Sequence, residues 1–302
     1  MIRRWSALLL VPLLATARGE RSVERGAWSV ESQSAPRSTL HAPRSASQPR
    51  KVALRIKPRV GDTLRMRFDQ VVQSAGPAPP SDPVASRSSA MHVMSRSVVE
   101  RSDDAGAVVL TITDSATFEA PGIDPRQVDA ARRALRGRWA RLRVSPVGAM
   151  EMVDARPGDV QGSTVAAFSR LPGTLPESPV KVGETWTRDL ALPWGAGGGT
   201  SPFSAGGKVQ VIFRLDSIAS GGSHAYVSMR GALARSGVAQ GGTHVTTRGT
   251  MTGTLLVDLK RGWMTDSRAE FAMVTTWLPI AGTKARPMQL RVTVTQRLHC
   301  DD

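Results

Sequence analysis

Run after run of this chain alternates apolar and polar side chains at a period of two, and that pattern fits little besides β-sheet. Val52, Leu54 and Ile56 alternate with Ala53, Arg55 and Lys57, and Leu64, Met66 and Phe68 alternate with Arg65, Arg67 and Asp69. Val108, Leu110 and Ile112 set against Val109, Thr111 and Thr113 make another run, and Leu142 and Val144 flank Arg143. Val209, Val211 and Phe213 stand against Gln210, Ile212 and Arg214, and Leu290, Val292 and Val294 against Arg291, Thr293 and Thr295. Successive strand residues point to opposite faces, so such runs bury one face and wet the other. Sheets of that kind are usually antiparallel. The expected fold is mostly β (α+β), with one large curved antiparallel sheet.

A four-residue phrase occurs twice. Val60-Gly61-Asp62-Thr63 opens one run and Val182-Gly183-Glu184-Thr185 opens another. Glycine permits the positive φ of a turn, the acidic side chain can accept from turn amides, and the threonine starts an extended run. The order of elements after each phrase also agrees: a strand, a polar glycine-containing turn, a strand, and later a hairpin about Pro146-Val147-Gly148 or Lys260-Arg261-Gly262. The reading is a single β-rich domain over 51–302 made of two pseudo-repeats, about 51–155 and 176–302.

Two segments between the halves break the period-two rule. Asp124-Pro125 is a helix start, with a capping carboxylate and proline at the first helical position. Val128, Ala131 and Leu135 then share one face, which predicts a helix over about 124–136 ended by Gly137. A second helix is expected over 160–171 from Val165, Phe168 and Leu171. About two helices should pack on the concave face of the sheet or close one end.

The first seventeen residues read as a secretory signal: Arg3 and Arg4, an apolar stretch from Ala7 to Leu14, then Ala15-Thr16-Ala17 and a cut before Arg18. The apolar stretch is far short of the roughly 20 residues that span a bilayer, and no later segment is apolar enough. Residues 18–50, rich in Ser, Pro and Arg, read as a disordered tether. The expected address is the periplasm or the outside, with a soluble mature chain and no transmembrane span. Cys300 is the sole cysteine, so no internal disulfide exists and the fold rests on its core.

Net charge is +15, from 40 basic and 25 acidic residues, with the arginines scattered. Nucleic-acid binding would need a basic stripe interleaved with stacking aromatics. Aromatic residues are 5% of the chain, with Tyr226 the single tyrosine, so a nucleic-acid partner is not expected. His41, His92, His224, His244 and His299 lie at no metal-ligand spacing, and no G-x-S-x-G elbow or phosphate loop occurs. No catalytic residue, cofactor site or metal site is therefore assigned. Thioethers and indoles can line a yielding apolar cavity. Trp139, Met150, Met152, Trp186, Trp263 and Trp277 are the candidate lining.

The stretch Pro179-Val180-Lys181-Val182-Gly183-Glu184-Thr185-Trp186, with Val292 to Gln296 as a closing strand, resembles a signature of uncharacterised exported bacterial proteins, a domain-of-unknown-function family. The resemblance covers roughly residues 50–300 and brings no active site to carry over. Members often carry a lipid-attachment cysteine, which this chain lacks. More remotely, the order of strands and paired helices is similar to envelope lipoprotein carriers of the LolA/LolB/LppX type, whose curved sheet holds lipid. The expected function is a non-enzymatic exported envelope protein binding an apolar or lipid-like ligand. The alternative is an envelope scaffold or interaction module whose partner is another envelope protein.

Overall fold

The computed structural model describes residues 51–76, 86–155, 173–191, 208–238, 244–278 and 287–301. The expected signal, the tether over 18–50 and the second helix over 160–171 lie outside the described residues. The strands are β1 (Thr63–Ala75), β2 (Ser86–Asp103), β3 (Gly106–Glu119), β4 (Trp139–Val144), β5 (Met150–Ala155), β6 (Thr185–Ala191), β7 (Lys208–Ile218), β8 (His224–Val238), β9 (His244–Asp258), β10 (Trp263–Leu278) and β11 (Met288–Asp301). One helix, α1 (Pro125–Leu135), stands between β3 and β4.

All eleven strands form one sheet in the order β5-β4-β3-β2-β1-β11-β10-β9-β8-β7-β6. Each neighbouring pair is antiparallel. Two meanders, β1–β5 and β6–β11, meet where β1 pairs with β11, from Arg65 opposite Asp301 to Ala75 opposite Arg291. The sheet is not closed, and β5 and β6 are its edges.

One face carries the core. Leu142 and Val144 of β4, Val211 and Phe213 of β7, Phe271 of β10 and Val294 of β11 belong to a single buried cluster. Adjacent residues Thr174 and Leu175 bond to Trp186 on edge strand β6 and to Val147 beside edge strand β5, so the two edges approach each other and this sheet curls around its apolar face. Glycines on that face make room for the bend. A Cβ on Gly253 would stand 2.2 Å from the Arg268 carbonyl oxygen and 2.4 Å from Met229 Cε, and one on Gly249 would stand 2.8 Å from Met273 Cγ.

The turn end of the curl is sealed by two stretches that are not strands. Val52 pairs with Val180, Ile56 N–H donates to the Pro146 carbonyl, and Lys57 N–H donates to the Gly262 carbonyl. This strap thereby ties the β4–β5 and β9–β10 turns together, with Leu54 and Ile56 buried beneath it at 1% and 4% exposure. The alternation of Val52, Leu54 and Ile56 thus marks a strap with one inward side rather than a ladder strand. The second stretch crosses from one sheet edge toward the other: Leu175 N–H donates to Val147 O in the β4–β5 turn, and Trp186 Nε1–H of β6 donates to Thr174 O at 2.8 Å.

The two phrases fold alike. Gly61 and Gly183 both sit at φ +87°. Asp62 N–H donates to Arg59 O and Glu184 N–H to Lys181 O, while Asp62 Oδ2 accepts from Arg59 N and Glu184 Oε2 from Lys181 N. Gly61 N–H donates to Val99 O and Gly183 N–H to Leu215 O, and Val99 and Leu215 each return a bond to the acidic residue's carbonyl. A Cβ on Gly61 would meet nothing within 4 Å, so this position needs the glycine for its φ and not for space.

The helix start is as the sequence implies. Asp124 caps α1, its carboxylate accepting from Arg126 N at 2.9 Å, with proline in the first turn. No α1 residue is buried, so of the two expected placements, on the concave face or closing one end, the first is corrected: the helix lies against β3 and adds nothing to the core. In β3 the expected inward set is also reversed. Val109 is buried beside Leu142, while Leu110 lies on the opposite face beside Arg141.

The ion pairs are mostly superficial. Lys57–Asp104, at 2.8 Å, joins side chains that are 62% and 96% exposed, and solvent screening leaves such pairs little weight. The strap can therefore be tested through its apolar anchor. Leu54→Ala should lower the unfolding free energy by about 2–5 kcal/mol, measured by urea denaturation, whereas Arg55→Ala one residue away should change it by less than about 0.5 kcal/mol.

Candidate ligand-binding face

Register places the inward side chains in rows across the sheet. One row runs from Phe118 through Met91, Gln70, Gln296, Ala269, Gly253, Met229 and Phe213 to Trp186. Residues paired across a ladder share a face, so all of these line the inside. Toward the turn end the inner face is solid: Leu64, Val99, Val144, Leu215 and Val257 are each at most 2% exposed. Toward the other end burial is uneven: Val209, Leu233, Met273 and Thr275 are still at most 9% exposed. Val72, Met91, Phe118, Val245, Trp277 and Leu290 are half-buried, and Gln70 and Gln296 face each other among them.

The six candidate lining residues divide by location. Trp186 stacks on Phe213 with ring centroids 5.7 Å apart and an 11° interplanar angle, and is committed to packing. Met150 and Met152 stand opposite Val144 and Leu142 and pack on the same core. Trp263 is buried at the turn end. Trp277 lies on the inner face between Met288 and Val245, within the half-buried region. Trp139 does not join them. It neighbours Ala140, which is buried on the inner side, so it points outward, where the Arg141 guanidinium sits 5.4 Å from its ring centroid. The residues that sequence reasoning missed, Phe118 and Val72, carried only the alternation signal that every strand shares.

Three arginines fall on the inner register: Arg87 opposite Ser74 on β1, Arg235 opposite Thr247 on β9, and Arg188. Arg188 stands beside Val211 on edge strand β6. Its guanidinium reaches Glu177 Oε1 at 3.0 Å and the Leu175 carbonyl at 3.0 Å, and its Nε is buried without a partner among the described residues. A buried donor left unpaired costs about 1–3 kcal/mol, which water or a ligand oxygen would remove.

The outer face pairs histidines with carboxylates, most of them on neighbouring strands. His92 Nδ1 is 2.6 Å from Asp69 Oδ1, and His299 lies between Asp266, 2.9 Å from Nδ1, and Asp301, 3.1 Å from Nε2. Burial works to raise the Asp69 pKa, but hydrogen bonds from His92 and Arg67 outweigh it and hold the carboxyl below its usual range. With a carboxylate on each ring nitrogen, His299 offers no free nitrogen to a substrate. His224 contacts Ser223 and Asp258. Among the described residues no group of three or more His, Cys, Asp or Glu is placed to hold a metal ion. His41 lies outside the described residues.

Cys300 is 6% exposed on the inner face, where its Sγ–H donates to the Met264 carbonyl at 3.5 Å. Burial, aided by Asp301 and Asp266, pushes its thiol up to about 11.

No family model matches this chain, and no curated protein matches it. Among solved structures, DynF from the dynemicin biosynthesis pathway of Micromonospora chersina is similar over 88% of this chain and 92% of that chain, at 10% identity and a TM-score of 0.23. Among the described residues no helix is long and apolar enough to cross a membrane.

The buried thiol yields a signed pH dependence. The folded state keeps the Cys300 proton up to about pH 11, against 9.0 for the free group, so unfolding releases a proton more readily in that interval and stability falls as pH rises through it. Denaturation of wild type and Cys300→Ala at successive pH values from 8 to 11 should show the wild type losing more stability over this range.

Proposed function

We propose that this protein is an exported, non-enzymatic binder of an amphipathic, lipid-like ligand, held against the inner face of the curled sheet. The observation that carries the reading is the gradient along that face. Its turn end is a solid core, whereas at its other end burial continues through Val209, Leu233 and Met273 but Val72, Met91, Phe118, Trp277 and Leu290 are only half-buried. Ligand sites combine apolar walls with a few orienting polar groups, and Gln70 and Gln296 occupy that role here. The leader-like start, Arg3 to Ala17, supports the exported address.

The two halves, about 51–155 and 176–302, are read as diverged copies of one β unit. The matched turns at Gly61 and Gly183, with the same hydrogen bonds to Val99 and Leu215, support this. Either half would then supply one arm of the same wall.

The test is a titration of the chain from Arg18 onward with cis-parinaric acid, followed by displacement with palmitate. Saturable fluorescence that palmitate reverses is the expected result. The double variant Met91→Gln with Leu290→Gln should weaken binding by at least about tenfold, since each lost apolar contact is worth about 1.5–3 kcal/mol when fully buried. Absence of saturable binding, or a double variant that binds as well as wild type, overturns the reading.

A further inference from the structure

The outer face holds a second feature that does not depend on the inner wall. A shallow recess of about 250 Å³ lies across β8 to β11, lined by Tyr226, Thr254, Leu256, Thr265, Asp266 and His299 among others. Register makes four of these consecutive in one cross-strand row: Tyr226 is opposite Leu256, Leu256 opposite Asp266, and Asp266 opposite His299. The β-bulge between Met264 and Asp266 shapes its floor by inserting Thr265, whose hydroxyl lies 3.5 Å from the Leu256 carbonyl. Bulges commonly re-aim side chains beside functional sites. The chain has one tyrosine in 302 residues, and it stands here, 47% exposed.

The chemistry of the lining selects among ligands. The recess is smaller than the roughly 300–1,000 Å³ that drug-sized ligands occupy, so its occupant is small. A cation would find the Asp266 carboxylate already met by His299 at 2.9 Å and Arg297 at 3.3 Å. An anion would face the carboxylates of Asp266 and Asp301 around His299. A neutral ligand is favoured, and among neutral ligands a polyhydroxylated ring fits the lining. Its C–H face suits the electron-rich face of Tyr226 and the apolar Leu256. Its hydroxyls, each both donor and acceptor, suit the mixture of carboxylate and threonine hydroxyls. We propose that this recess is a binding subsite for one neutral sugar unit, with Tyr226 as its stacking platform and Asp266, Thr254 and Thr265 as its hydrogen-bonding groups.

Because Tyr226 is the single tyrosine, protein labelled with 3-fluorotyrosine has one ¹⁹F resonance, placed in the recess. Titration with methyl β-glucopyranoside and with methyl N-acetyl-β-glucosaminide should shift it saturably for at least one of the two. Asp266→Asn should weaken that binding about tenfold, the effect of losing a hydrogen bond to a charged group. Thr254→Val, an exposed change that spares the fold, should weaken it about threefold to tenfold. No saturable shift with either glycoside overturns the proposal. So does a saturable shift with tetramethylammonium or with sulfate in place of the glycosides, or glycoside binding that neither variant weakens. Loss of palmitate binding at the inner face would leave this result untouched, so the two sites fail separately.

Discussion

The ladder between β1 and β11 holds the two arms of the sheet together. Each arm is a meander of neighbouring hairpins with one apolar face, and neither face is covered by its own arm. Eleven residue pairs, Arg65–Asp301 to Ala75–Arg291, join strands from opposite ends of the described chain. That pairing, together with the glycine-relieved bend through β8 and β9, brings Leu142 and Val144 into the same cluster as Val211 and Phe213. Closing so long a loop costs entropy that grows only logarithmically with length, but the contact must form before the curl can bury anything. Non-local pairings of this kind slow folding more than they weaken the folded state.

With the arms joined, the two faces become separate environments. The inner face grades from solid core at the strapped end to half-buried Met91, Phe118 and Leu290. The outer face is wet and charged, and its histidines are engaged by aspartates: His92 with Asp69, His299 with Asp266 and Asp301. The sole thiol is withdrawn to the inner side and held protonated by burial.

Much of this was legible in the sequence wherever one face of a strand was distinctly more apolar than the other. Leu64 to Phe68, Val209 to Phe213 and Leu290 to Val294 all point as their alternation implies. In β3 both sets are apolar, Val108, Leu110 and Ile112 against Val109, and period alone could not choose. The structure buries Val109. The turn phrases were readable because glycine with a following acid is a local device: its hydrogen bonds close within three residues. The strap was misread as a strand because a segment lying over a core shows the same inward alternation as one inside a ladder. Trp139 was misplaced for a related reason, since an indole stacked under Arg141 on the outer surface looks in sequence like one in a wall. The cross-strand histidine–aspartate pairs, His92 with Asp69 and His299 with Asp266, and the recess at Tyr226 were invisible because their members lie tens of residues apart and meet only through register.

The position of the two free edges has a consequence for how molecules of this protein behave together. An unpaired strand edge is a template on which another chain can add itself, and long apolar edges seed polymers. Here β5 and β6, at six and seven residues, are among the shortest strands in the sheet. They carry Glu151 and Asp154 on one side and Arg188 and Asp189 on the other. The strands of thirteen to eighteen residues, β1, β2, β3 and β8 to β11, are each flanked on both sides. The long strands are thus locked between neighbours, and self-association is discouraged at the two free edges of the sheet among the described residues.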